Sequence, residues 1–144
     1  MNKKGFTLIE AVLSIAILGI GLVGVIYAFQ GAARSSLLAD QTIIATNIAR
    51  GTLERIVASR DANGYATTLT AINTSHTYNE NPATGFPGFV LNTTALEVNS
   101  GDNSATDDFL VAQVGSGYAR VTATVSWNNS ANSIRLVTLI VNYP

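Results

Sequence analysis

Lys3-Lys4-Gly5-Phe6-Thr7-Leu8-Ile9-Glu10, followed by Ala11–Phe29 with the sequence AVLSIAILGIGLVGVIYAF, is the stretch that decides how this chain is read. From Ala11 to Ala33 no residue is charged, although the chain as a whole has 12% charged residues. About 20 apolar residues span a bilayer as a helix, so this run predicts a membrane helix with a short basic segment before it. A secretory signal would place its small-residue cleavage site after the apolar run. Gly31-Ala32-Ala33 offers such a site, but the residues before the run point elsewhere. The basic side faces the cytoplasm and the C-terminal bulk lies outside.

The rest of the composition narrows the choices. A chain of 144 residues provides one modest core. With a net charge of −1 it has no basic patch for a phosphate backbone. The absence of cysteine removes disulfides, thiolate zinc sites and a cysteine nucleophile together. Both lysines, Lys3 and Lys4, precede Phe6, so a chain beginning at Phe6 would set six arginines against nine acidic residues.

The string from Lys3 to Glu10, joined to an apolar helix, resembles the prepilins of type IV pili and type II secretion systems. The resemblance implies that a membrane peptidase cuts between Gly5 and Phe6, that the new terminus becomes N-methyl-Phe6, and that Glu10 stands where the family has its glutamate. Glu10 also has a reading from its own chemistry. A carboxylate carried toward the bilayer centre costs up to about 3 kcal/mol and is normally paired. The α-amine exposed at Phe6, with an ordinary pKa near 8, is a fitting partner on a neighbouring subunit, and such a pair would fix axial stagger. Alternatively, Glu10 sits at headgroup level, where a helix N-terminus favours an anion.

Gly19, Gly21 and Gly24 interrupt the apolar run, and Gly24, Ala28 and Ala32 recur every fourth residue, a spacing that lets membrane helices approach closely. The same glycines are also simply tolerated in lipid. Major pilins of the resembling family usually carry a proline in this region. This chain has none before Pro82, so any flexibility falls to the glycines.

Beyond the span, Leu37, Ile44, Ile48 and Ile56, with Leu38, Ala45, Ala49 and Leu53, keep a stripe near the 3.6 period. One helix is therefore expected from residue 6 to about residue 60, halted by Asp61-Ala62-Asn63-Gly64. Residues 64–108 read as Thr/Asn/Ser/Gly-rich loops. Tyr118–Trp127 alternates, with Ala119, Val121, Ala123, Val125 and Trp127 on one face. A polar turn from Asn128 leads to a second strand, Ile134–Tyr143, and Phe109–Val114 reads as a further strand. The expected fold is α+β, a long N-terminal helix whose C-terminal half packs on a three- or four-stranded antiparallel sheet. The expected organisation is a leader at 1–5, a transmembrane and filament-core helix at 6–33, and an extracytoplasmic domain at 34–144. The two C-terminal strands also look like those of PilV-like minor pilins and I-type minor pseudopilins.

Other candidate sites are few. His76 lacks ligand company and reads as a loop residue. Asp102, Asp107 and Asp108 form the one acidic cluster and a weak calcium candidate, since their spacing does not match the 12-residue calcium loop and a solvated turn before Phe109 is the simpler reading. Gly115-Ser116-Gly117 reads as a turn, and no catalytic arrangement stands out. Together these features imply a structural subunit, most simply a minor pilin, without cofactor. Its implied partners are other pilin subunits, the prepilin peptidase, and an assembly platform with its ATPase. A type II secretion or DNA-uptake pseudopilin, and a membrane-anchored binding domain that never polymerises, are the alternatives. The setting is the bacterial cytoplasmic membrane, then a filament.

Overall fold

The computed structural model describes residues 7–99, 101, 109 and 111–143. The elements run α1 (Leu8–Asn63), α2 (Tyr65–Asn73), β1 (Phe89–Glu97), β2 (Tyr118–Trp127) and β3 (Asn132–Val141). With no proline before Pro82, nothing in the sequence forbids helix until Gly64, whose φ of 83° ends α1. The chain divides into two compact units, one ending at Gln41 and the other beginning at Thr42.

In the unit from Thr42, the three strands form one antiparallel sheet in the order β1-β2-β3. The expected alternation on β2 holds at every position: Ala119, Val121, Ala123, Val125 and Trp127 are all buried. They share a core with Ala45, Ala49, Leu53 and Ile56 of α1, Tyr65 and Ile72 of α2, Phe89 and Leu91 of β1, and Ile140 of β3. Each large aliphatic side chain so buried contributes about 1.5–3 kcal/mol. Buried hydroxyls are satisfied locally: Thr52 Oγ1 donates to the Ile48 carbonyl at 2.9 Å and Thr68 Oγ1 to the Gly64 carbonyl at 3.0 Å. The β2–β3 hairpin turns through Asn128, Asn129 and Ser130, all at positive φ of 54–66°, a conformation asparagine adopts more readily than most residues.

Three expectations need correction. Residues 64–108 are not loops throughout, since they contain α2 and β1. The partner of β2 opposite β3 is β1, whereas in the Phe109–Val114 stretch Ala112 makes only an isolated bridge to Val98 among the described residues. Phe109 has a φ of 51°, which is incompatible with strand geometry. Leu37 and Leu38, read as part of the packing stripe, are exposed, and Ile44 and Ile48 are only half-buried. The buried stripe instead runs Ala45, Ala49, Thr52, Leu53 and Ile56.

The outer edge of β1 is closed by side chains as well as backbone. Glu80 and Leu91 exchange two backbone hydrogen bonds, and Ala83 N–H donates to the Phe89 carbonyl. Asn79 Oδ1 accepts from both the N–H and the hydroxyl of Thr93, at 2.7 and 2.8 Å. The Asn73 amide makes both bonds of a missing strand, accepting from Ala95 N–H at 3.0 Å and donating to the Ala95 carbonyl at 2.9 Å. At the far end of β1, the Glu97 carboxylate accepts from Tyr65 Oη at 3.1 Å and from Gly115 N–H at 3.0 Å, joining α2 to the loop before β2. Burial, with Glu97 beside it, pushes the Tyr65 phenol well above its ordinary pKa.

Glu80 holds the segment before β1. Its carboxylate accepts from Thr84 N–H at 2.6 Å and from Arg55 Nη1 at 3.4 Å. The Thr84 backbone bond, ahead of Arg55, holds the Glu80 carboxyl below the usual carboxylate range. A group depressed in the folded state stabilises it fully above the unfolded pKa, about 4.3 for glutamate, and loses that contribution as pH falls through the folded value. Acid titration of unfolding should therefore show stability falling below about pH 4, and Glu80→Gln should flatten that limb while lowering the neutral-pH midpoint. Asn79→Ala strands the Thr93 N–H and hydroxyl, and its denaturation midpoint should report a loss of about 1–3 kcal/mol.

Candidate functional site

The first turn of α1 is built by a side-chain cap. Thr7 Oγ1 accepts from Glu10 N–H at 3.4 Å, and the Thr7 carbonyl accepts from the N–H groups of Glu10 and Ala11, each at 3.1 Å. The signal was present in the sequence: Thr7-x-x-Glu10 is the capping-box spacing, which places the hydroxyl on the N3 amide. The charge of Glu10 dominates that stretch and hides the role of Thr7. Glu10 is exposed, and its carboxylate meets no donor among the described residues. It lies in the positive first turn of the helix with its acceptor capacity unused. Gly5 and Phe6, the expected cleavage and methylation positions, lie outside the described residues, so the Phe6–Glu10 pairing has no geometry here.

After Glu10 the helix is apolar on all sides. From Leu8 to Phe29 every leucine, isoleucine, valine, tyrosine and phenylalanine is between 48% and 85% exposed. The most apolar 18-residue window of α1 has a mean hydropathy of 2.5, and none of it is buried. A helix that is hydrophobic all round needs lipid or other helices around it. With the N-terminal motif, this long apolar helix fits membrane anchoring. Water does not suit it as a final environment.

Gly19, Gly21, Gly24 and Ala28 fall inside this apolar length, and α1 continues through all four without a break. Among the described residues nothing lies within 4 Å of the place where a Cβ would sit on Gly19, Gly21 or Gly24, so none of them requires glycine there. Their small size leaves the helix surface open to close approach by another helix.

The other candidates gather no site. His76 is exposed in a turn at φ 50°. Asp102, Asp107 and Asp108 lie outside the described residues. Among the described residues no three His, Cys, Asp or Glu side chains cluster as metal ligands. Gly115 and Gly117, with φ of 78° and 76°, form the expected turn, which delivers Gly115 N–H to Glu97.

Neither the curated proteins nor the solved structures contain a match to this chain. Residues 1–26 match the family model of the prokaryotic N-terminal methylation motif, which indicates a type IV pilin-like prepilin.

Proposed function

We propose that the chain is a minor pilin, a structural subunit of a type IV pilus-like filament. Prepilin peptidase cuts it between Gly5 and Phe6, the new Phe6 terminus is N-methylated, and the subunit enters the polymer through its N-terminal helix. The observation that carries this reading is the coupling of the methylation motif at 1–26 to a helix whose apolar residues are exposed all round. Lipid satisfies such a helix before assembly, and neighbouring helices satisfy it afterward. The unused Glu10 carboxylate supports the same reading, because a charge in a low-dielectric filament core requires a partner, and processing creates one at Phe6. The domain beginning at Thr42 then lies outside the cytoplasmic membrane. Other pilins, the peptidase, and an assembly platform with its ATPase are the partners in this scheme.

Two substitutions separate this from a membrane-anchored domain that never polymerises. Gly5→Ser should leave the leader attached, and mass measurement of the purified chain should find Lys3 and Lys4 still present where the parent chain begins at N-methyl-Phe6. Glu10→Val should be processed normally yet fall at least about tenfold in sheared filaments, as expected for loss of a desolvated ion pair. Equal recovery of the Glu10→Val and parent chains in filaments would refute the pairing, and an unprocessed parent chain would refute the filament reading itself.

A further inference from the structure

The two edges of the sheet are treated differently. Each outward-facing residue of β1 from Phe89 to Ala95 is met by Phe86 and Ala83, Glu80, Asn79 or Asn73, at both backbone groups of Phe89, Leu91 and Ala95 and at the N–H of Thr93. On the other side, Asn142 N–H donates to the Gly117 carbonyl at 2.7 Å. Hydrogen-bonded pairs in an antiparallel ladder recur at every second residue, so the even-numbered residues of β3 bond β2. The odd-numbered ones, Ser133, Arg135, Val137, Leu139 and Val141, turn N–H and C=O to the open edge, and no hydrogen bond meets them there among the described residues. That edge carries neither proline nor bulge, two of the common devices that block strand addition. Arg135, its one charged residue, points to the outer face of the sheet.

Beside the same edge runs a groove of about 490 Å³ between β3 and α1, floored by Leu53, Val57 and Ala58 and rimmed by Arg50, Glu54 and Asp61. A strand added to β3 would send alternate side chains into this groove and the others to the outer face. The outer face of the three strands carries Arg120 and Arg135 and no acidic residue, because Glu97 lies on the inner side bonded to Tyr65 and Gly115. Arg120 is flanked across the ladder by Leu96 and Leu139, and its Nε is buried without a hydrogen-bond partner among the described residues.

We propose that the open edge of β3, with the groove against α1, binds an extended segment of a partner protein in which apolar residues alternate with acidic ones, adding it as a fourth strand. The apolar side chains fill the groove over Leu53 and Val57, and the acidic ones face Arg135. A second copy of this chain fits poorly. The inner side chains of its own β3 are already packed against its core, leaving none to fill the groove, and a joined sheet would carry four arginines without an acid. The inference is independent of the filament reading, since it concerns only the unit from Thr42.

The test uses the full chain in detergent micelles with a synthetic peptide of about nine residues alternating valine with glutamate, against the same peptide with lysine for glutamate. The glutamate peptide should bind at least about tenfold more tightly by fluorescence anisotropy. Hydrogen exchange should show new protection at the amides of Arg135, Val137 and Leu139, with Leu136 and Thr138 unchanged. Val137→Pro removes an outward N–H without touching the bonds to β2 and should abolish binding. Should that variant misfold, Arg135→Glu decides, because it should reverse the preference toward the lysine peptide. No binding of either peptide, equal binding of both, or a concentration-dependent dimer of the chain that Val137→Pro dissolves would overturn the proposal.

Discussion

In the proposed membrane-anchored subunit, the backbone of α1 meets two solvents without a break. In lipid no water is available to a peptide N–H or carbonyl, so a segment crossing it must satisfy its hydrogen bonds internally, and for a single segment only the α-helix does so. Among the described residues the chain obeys this from Leu8 onward, and continues the same helix to Asn63. The apolar length imposes the conformation, and the later residues inherit it. They add what the first length lacks, a single buried stripe from Ala45 to Ile56 that gives the sheet something to cover.

That inheritance explains the form of the domain. A helix arriving with one apolar stripe can cover one face of a small sheet, which leaves the outer face of β1, β2 and β3 and both sheet edges to be managed separately. The chain manages the β1 edge with side-chain amides rather than another strand. An asparagine side chain presents a carbonyl acceptor and an NH2 donor side by side, so Asn73 can take both the N–H and the carbonyl of Ala95, as a neighbouring strand residue would. Asn79 does half of this for Thr93 and adds the threonine hydroxyl. The Thr/Asn-rich segment before β1, which looks like undirected surface in the sequence, is in part the cover of an edge.

How much could be read in advance follows from the range of each signal. The long helix, its stop at Gly64, and the buried alternation of β2 rest on local periodicity and were legible. Elements α2 and β1 were not. Tyr65–Asn73 is short and carries three threonines, while Phe89–Glu97 alternates only over its first half and then buries Thr93 in place of an aliphatic residue. Its identity as a strand is set by pairing with β2 and by Asn79 and Asn73, contacts that no local pattern announces. The stretch from Phe109 showed the reverse error, apolar residues that read as a strand where the backbone turns at Phe109. In the first turn of α1 the charge of Glu10 was legible from its apolar surroundings. The Thr7 cap was equally local and required only that the spacing to Glu10 be read as helix chemistry.

The cap also bears on which role of Glu10 is open. Two demands compete for an acidic residue in the first turn: closing its own helix end, or serving a charge elsewhere. In a complete capping box the N3 carboxylate folds back to the N-cap amide and is thereby occupied. Here the Thr7 hydroxyl and carbonyl already receive the Glu10 N–H, so the helix end is closed from the Thr7 side without the Glu10 carboxylate. A helix N-terminus is in general a favourable place for an acidic side chain. A carboxylate that is exposed and meets no donor among the described residues suits a role in which its partner arrives from another molecule.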